Sequence, residues 1–546
     1  MNLIDKALEY FAPEKAVRRV AARNMIRVIN TGYSEGGASM VKKSMRGWNA
    51  RSASPAEDID LNLQTLRDRC RDLYMNSPLG RSSIQTTRTN VIGSGLKLKS
   101  RIDSDYLGLT EEEADAWERM VEREFALWAD SVHCDSLKMN NFYEMQQLAQ
   151  LMWLQSGDAF VLLKQDRQTP YMPYGLRLHL IEADRVSTPN TAVNNSPAAV
   201  GSLFAIEGKA PNGNRIISGI EIDAGGAAAA YHICNQYPQS FYFSNNFAPL
   251  AWTRVEAFGK LTGRPNVLHL MESERAEQRR GVPFLAPVIE PLKQLTRYAE
   301  AELMAAVVTG MFTVFITSDS SVPDDLLGSM VPQEQQVSRD NTSYDLGNGA
   351  VNILNPGEKI EAANPGRPNT AFEGFVNALC RYVGAALEIP QELLQKSFNA
   401  SYSAARAGLL EAWKMFKMRR TWMAQDFCQP AYEEWLAQAV SMGRVKAPEF
   451  FSDPVIRKAW CGAEWNGPAP GQLDPVKEAE AAVIRVENGF STREQETMEM
   501  NGGNFDRNIQ QAKREQKLMK EAGLGEETEE TPGDSQRSPA QGAGTE

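Results

Sequence analysis

The chain has 546 residues, 42% of them hydrophobic and 23% charged, with a formal net charge of −11. That length allows two to four domains, each with its own core, and the composition excludes a fibrous or wholly disordered polymer. The acidic total also excludes a chain that grips nucleic acid over its whole surface, so any DNA contact must be local or weak.

The six cysteines, Cys70, Cys134, Cys234, Cys380, Cys428 and Cys461, include no C-x-x-C pair, which predicts reduced thiols and no disulfide frame. His133, His179, His232 and His269 stand at no zinc-site spacing, so no metal centre is expected. Residues 1–20 lack the apolar core of a signal peptide. The longest uncharged apolar run, 303–316, falls short of the about 20 residues that span a membrane. A soluble protein without a membrane partner is expected.

In chain order, residues 1–50 carry nine Lys or Arg against four Asp or Glu and predict a flexible basic arm. Over 56–92, Leu63, Leu66, Cys70 and Leu73 recur at helical spacing, and Asn76-Ser77-Pro78 ends one helix and starts the next. Gly93-Ser94-Gly95 is a turn before an alternating strand, Leu96 to Lys99. Two helices fill 110–155. From 157 to 272, short apolar or alternating runs separated by Gly, Pro and Asn predict a β module, in which His179 and His269 are structural.

Residues 284–309 predict a long helix striped by Leu285, Val288, Ile289, Leu292, Leu295, Ala299, Leu303 and Val307. Strands and an acidic, Gly-rich stretch follow to 366. A second helix is expected from Thr370, capped by Thr370 with Glu373, striped by Phe372, Phe375, Val376, Leu379, Val383 and Leu387, and ended by Pro390. After a loop, a third helix near 402–440 buries Leu409, Trp413, Phe416, Met423 and Phe427, and Pro430 kinks it. Residues 474–521 predict three short helices, with Asp474-Pro475 as one start, Ser491 with Glu494 as a capping box, and Gly489 and Gly502-Gly503 as stops. The tail from 525 has no large apolar residue and predicts disorder. The fold class is α+β.

No G-x-x-x-x-G-K-[ST], G-x-S-x-G, H-E-x-x-H or H-R-D motif occurs. Among 69 Asp and Glu a chance carboxylate pair carries no weight. No catalytic residue and no cofactor are expected.

Four segments carry a family resemblance: LRDRCRDLYMNSPLGRSSIQTTRTNVIGSG; RRGVPFLAPVIEPLKQLTRYAEAELMAA; FVNALCRYVGAALEIPQELLQKSFNASYSAARAGLLEAW; and AWCGAEWNG with LDPVKEAEAAVIRVENGFST. In this order, over about 50–520, the chain resembles the lambda-like portal family of tailed phages. SYSAARA, Ser401 to Ala407, is the most specific part.

The resemblance implies a portal fold and a ring oligomer, usually of twelve subunits, at one capsid vertex. It divides the chain into a basic arm (1–50), a wing with a helical start and a β-rich module (51–283), stem helix one (284–310), a clip (311–366), stem helix two (367–389), a tunnel loop (390–401), a long wing helix and its return (402–470), a helical crown (471–524) and an acidic tail (525–546). The implied function is a DNA conduit for packaging and ejection, in the virion and, during assembly, in the host cytoplasm. Implied partners are sister subunits, double-stranded DNA read without sequence, the terminase large subunit, major capsid and scaffold proteins, and head–tail connectors. An acidic wall with few cations suits sliding, because a duplex carries one charge per about 1.7 Å and a basic wall would hold it.

On that reading Lys396, with Ser397 and Asn399, faces DNA from the tunnel loop, and Lys293 and Arg297 either line the channel or pair with Glu290, Glu300 or a neighbour's carboxylates. Asp319, Asp324, Asp325, Asp340 and Asp345 make an acidic clip matched to a basic motor face. Arg406, Trp413, Lys414, Lys417 and Arg420 are candidates for the subunit interface, with Arg419 in the same basic segment. The alternatives are a nucleic-acid-processing enzyme, which lacks a motif, and another structural head protein.

Overall fold

The computed structural model describes residues 43–45, 47–48, 50–190, 206–238, 249–311, 315–316, 352–353, 371–398, 402–471 and 474–522. The chain divides into two units, Met1–Asp58 and Ile59–Glu546. In the described part of the first, Ser54 caps a helical turn, its Oγ accepting from the Glu57 amide at 3.3 Å.

In the second unit, α1 (Leu61–Asn76) ends where Ser77 turns extended. The Ser77 hydroxyl then accepts from the Gly80 amide to open α2 (Pro78–Val91), whose first-turn proline needs no donor. α3 (Glu111–Ala129) and α4 (Phe142–Ser156) each open on a full capping box, Thr110 with Glu113 and Asn141 with Glu144. β1 (Lys97–Ser100) pairs antiparallel with β12 (Ala463–Asn466), Leu98 opposite Trp465.

The expected β module is two antiparallel sheets. β2 (Asp158–Gln165) lies between β3 (Leu176–Glu182) and β9 (Val267–Met271). The second sheet runs in chain order through β4 (Glu207–Lys209), β5 (Arg215–Ile217), β6 (Ile220–Ile222), β7 (Ala228–Cys234) and β8 (Trp252–Glu256). β2 separates two cores by strict alternation: Ala159 and Val161 join the large core of the helices, and Phe160 and Leu162 join a small core with Ile181, Tyr231 and Ile233. At the centre of the large core, Phe125 meets Phe142, Tyr432 and Trp435 edge-on, 5.1 to 5.7 Å between centroids.

A buried ionic cluster joins helices and sheets. Asp158, fully buried, accepts from Arg280 Nε at 2.5 Å and Arg67 Nη2 at 3.0 Å, and His269 Nε2 lies 3.4 Å away. Arg280 also donates to the carbonyls of Ala183, Val186 and Ser218. Arg71 pairs with Asp184 beside it. Although burial opposes ionisation, the two guanidiniums hold the Asp158 carboxyl far below the usual carboxylate range. Burial pushes His269 down, so it stands neutral here. The backbone reaches this geometry through Gly157, at φ +88°, where a Cβ would lie 2.2 Å from the Gly281 carbonyl oxygen.

The first long helix of the expected pair is a 3-10 turn, Ala286–Val288, followed by α5 (Ile289–Met311). The second is α6 (Phe372–Ala386). They touch through Tyr298, stacked on Phe372 at 5.5 Å and edge-on to Phe375 at 5.0 Å. Between them the described residues include two short strands, β10 (Phe315–Ile316) and β11 (Asn352–Ile353), paired in parallel. The expected cap at Thr370 is corrected: Ala371 is the N-cap of α6 and makes no side-chain cap bond. α6 ends in a Schellman-type turn. The Ile389 amide bonds the Gly384 carbonyl at 2.9 Å, and Glu388 sits left-handed at φ 57°. A Cβ on Gly384 would lie 2.4 Å from the Ile389 oxygen.

Residues 390–401, expected as a loop, begin instead with a short helix, α7 (Gln391–Gln395). Pro390 supplies its start, and four side chains described below, Gln391, Gln395, Lys396 and Ser82, hold it to its neighbours. The long helix is α8 (Tyr402–Met423), a π-turn (Ala424–Cys428) and α9 (Gln429–Ser441). The irregularity expected at Pro430 is thus a π-bulge just ahead of it, where the proline offers no amide to the preceding turn. After α10 (Pro454–Trp460) and β12, the described residues continue through α11 (Pro475–Glu487), α12 (Arg493–Asn501) and α13 (Phe505–Glu521). Asp474 caps α11 as expected, but Thr492, not Ser491, caps α12, its hydroxyl accepting from Gln495. All six cysteines are buried free thiols.

Candidate nucleic-acid interface

Of the residues expected to face DNA, Lys293 and Arg297 fall on α5, and Lys396 and Ser397 fall at the end of α7. Lys293 and Arg297 are both exposed on α5, beside the buried Leu292 and Leu295. Among the described residues neither forms an ion pair with Glu290 or Glu300. The apolar stripe is buried at Leu285 and Val288, ahead of α5, and at Leu292 and Leu295 on it. It then opens to solvent: Leu303 is 66% exposed and Val307 48%. On α6, Val383 and Cys380 are buried, whereas Phe375 is 52% exposed and Tyr382 66%.

α7 is held against the body by polar contacts. Gln391 and Gln395 both donate to Asn377 Oδ1 of α6, at 3.2 and 3.1 Å. Ser82 Oγ of α2 donates to the Leu394 carbonyl at 2.8 Å. Lys396 closes the helix in the left-handed region at φ 56°, its amide bonding the Glu392 carbonyl. Its Nζ donates to Thr86 Oγ1 at 2.6 Å, and burial lowers its pKa. Lys396 therefore points back along α2 and is engaged within the chain. The Ser397 amide bonds the Glu392 carbonyl at 3.1 Å, and the next residue, Phe398, is 57% exposed. Asn399 and the acidic set Asp319, Asp324, Asp325, Asp340 and Asp345 lie outside the described residues.

The expected interface set divides. Lys414 and Lys417 are exposed on α8 and reach Glu411 at 2.6 Å and Glu499 at 3.3 Å. Arg406 is half-buried and has a partner within the chain. Trp413 is 7% exposed and packs edge-on against Phe416 at 5.8 Å, so it belongs to this chain's own core. Arg420 donates to the carbonyls of Asn90, Val91 and Pro468 at 2.8 to 3.1 Å, and burial lowers its pKa to about 10. It ties α8 to α2 and to the segment after β12. Arg419 lies 3.4 Å from Glu272 and over the Phe284 ring. A helical stripe distinguishes inward from outward, but long basic side chains with carbonyl partners escape that rule.

Two features escaped the sequence reading. A groove of about 540 Å³ runs between the end of α6 and α8, lined by Gly384, Glu388, Gly408, Glu411 and Met415. Its signal was the glycine pair Gly384 and Gly408, which lets the elements approach without filling the space. The other is the exposure of Phe398, an aromatic two residues after Lys396. Among the described residues no group of three or more His, Cys, Asp and Glu could hold a metal ion, and no helix is long and apolar enough to cross a membrane.

A family model described as phage portal protein, lambda family, matches residues 42–420. Portal protein B of Escherichia phage lambda is 27% identical over 514 residues, covering 90% of this chain and 91% of that protein. The portal protein of Escherichia phage N15 matches with the same identity and the same coverage. Among solved structures, the virion of a native gene transfer agent particle aligns over 83% of this chain and 94% of that one, at 11% identity and a TM-score of 0.42. The neck of the native particle, computed with C12 symmetry, aligns over 80% and 94%, at 11% identity and a TM-score of 0.37.

Proposed function

Because the chain belongs to the lambda family of phage portal proteins, we propose that twelve copies form a ring at one vertex of a tailed-phage capsid and conduct double-stranded DNA during packaging and ejection. One observation carries the reading. The apolar stripe of the α5–α6 pair is covered at Leu292 and Leu295 and uncovered at Leu303, Val307 and Phe375. A contiguous uncovered apolar surface marks protein contact, and a head-to-tail contact repeated by rotation closes a ring.

The ring is a structural part, and a separate motor supplies the energy. Lys293 and Arg297 provide isolated cations in an acidic protein, so phosphate contacts are few and DNA slides. Ser397 and Asn399, with Lys396 once released from Thr86, add transient contacts at the tunnel loop. The carboxylates of the clip, Asp319, Asp324, Asp325, Asp340 and Asp345, match a basic face of the terminase large subunit and later give way to head–tail connectors. Arg406, Lys414 and Lys417 face the neighbouring subunit, while Trp413 and Arg420 set the position of α8 from within. Capsid and scaffold proteins surround the ring, which assembles in the host cytoplasm and remains in the virion.

Purified full-length protein, imaged by negative-stain electron microscopy over a range of salt, is expected to show annular particles and to hydrolyse no ATP. Monomers at every salt concentration, or ATP turnover by the pure protein, refute the reading.

A further inference from the structure

The three C-terminal helices bury almost nothing within their own chain. α11 buries only Ala482, α12 only Glu496, and α13 no residue. What attaches them is ionic. Lys99 Nζ on β1 reaches Asp506 at 2.9 Å, and Arg485 of α11 grips Glu496 of α12 with bonds of 2.7 and 2.5 Å. Meanwhile large apolar side chains face solvent: Val476 is 67% exposed, Val483 55%, Ile509 52% and Met519 49%.

These exposed residues are periodic on both outer helices. On α11, Val476, Glu480, Val483 and Glu487 follow a 4-3-4 spacing, so one line alternates apolar residues and carboxylates. On α13, Ile509, Ala512 and Met519 share one face, flanked on one side by Lys513 and Lys520, seven residues apart as Glu480 and Glu487 are. α13 carries Arg507, Lys513, Arg514, Lys517 and Lys520 against Asp506, Glu515 and Glu521, whereas α12 carries Glu494, Glu496 and Glu499 against Arg493. Apolar seams flanked by opposite charges are the code that selects helix partners.

We infer that α13 of one copy docks along α11 of a second copy, its apolar face on Val476 and Val483, with Lys513 and Lys520 opposite Glu480 and Glu487. This pairing rests on the ring reading above and deepens it, naming a heterologous contact that each copy makes twice, once with each neighbour. The occupant is a second copy because this chain presents both halves of the seam, each uncovered and each complementary to the other.

The test uses the full chain with Val476→Cys and Ile509→Cys, which the 513–480 and 520–487 register sets opposite one another, the six native thiols being buried. Under mild oxidation the expected product is a ladder of covalent multimers on a non-reducing gel. Monomer alone, or an intrachain crosslink, in a preparation that micrographs show to contain rings overturns the pairing and leaves the ring reading standing. Monomer without rings overturns both. In the same cysteine background, Lys513→Glu with Lys520→Glu is expected to cut ladder yield at least about tenfold, and adding Glu480→Lys with Glu487→Lys to restore it. Unchanged yield on charge reversal also overturns the pairing, including the case in which the reversal abolishes retention on duplex DNA instead.

Discussion

Replacing Asp158 by Asn tests the joint between the helical core and the sheets. The substitution keeps the volume and one acceptor oxygen but removes, among the described residues, the only carboxylate that touches both Arg67 and Arg280. Those guanidiniums are 5% and 2% exposed, so solvent cannot take over the charge, and Asp184, 3.7 Å from Arg67, is already paired with Arg71. Removing one partner of a buried pair costs about 3–5 kcal/mol. At roughly 1 °C per kcal/mol for a chain of this size, the midpoint falls by roughly 3–5 °C. The pH dependence has a definite sign. Asp158 is depressed in the fold, so its contribution is present above the unfolded value near 3.9 and is lost only as pH falls below it. Titration of Asp158 itself therefore adds nothing to the gap between parent and variant from pH 5 to pH 8, and only the relief of Asp60, whose pKa Asp158 helps to raise, narrows it as pH rises. Thermal unfolding followed by circular dichroism at one scan rate, across that range, measures it. A variant melting within about 1 °C of the parent at pH 5, or a gap that widens on going from pH 5 to pH 8, refutes the reasoning.

Other perturbations give independent checks. Asp60 is 7% exposed, and burial raises its pKa to about 6 against the pull of Arg280 and Arg67. A raised carboxylate favours the fold below its unfolded value and loses that contribution as pH rises through about 6, so Asp60→Asn should match the parent near pH 4 and exceed it by about 2–3 kcal/mol at pH 8 in denaturant unfolding. Gly157→Ala forces a Cβ to 2.2 Å from the Gly281 oxygen at a left-handed φ of +88°, and should lower stability by at least about 2 kcal/mol in the same assay. Trp413→Ala should cost the isolated subunit about 3–5 kcal/mol, since this side chain is packed within one chain; an unchanged melt with lost ring assembly would return it to the interface. Leu303→Glu with Val307→Glu should leave subunit stability within about 0.5 kcal/mol and abolish annular particles in micrographs, because both residues are open to solvent in the single chain.

Local chemistry was legible wherever it is local in cause. Ser77-Pro78, Asp474-Pro475 and Gly502 set helix ends through their own side chains or backbone freedom, and the structure keeps all three. Thr370 and Ser491 carry the same residue types, but α6 takes its cap at Ala371 and α12 at Thr492; capping potential recurs at neighbouring positions, and packing chooses among them. Lys396 shows the same limit at the candidate site. Its place after α7 follows from Pro390 and the helix end, but its engagement with Thr86 depends on a helix 310 residues earlier in the chain.

Periodicity by itself determined that this chain contains two amphipathic rods around an insertion, a β-rich block and a helical end, because each of those follows from spacings of three, four or two residues. Tertiary structure alone decided that β1 pairs with β12, that Asp158 gathers Arg67, Arg280 and His269, and that the stripe on α5 is covered at Leu292 and open at Leu303. The physical reason is common to all three. Burial and charge pairing depend on which surfaces meet, and surfaces that meet here lie up to hundreds of residues apart, where no short-range pattern connects them.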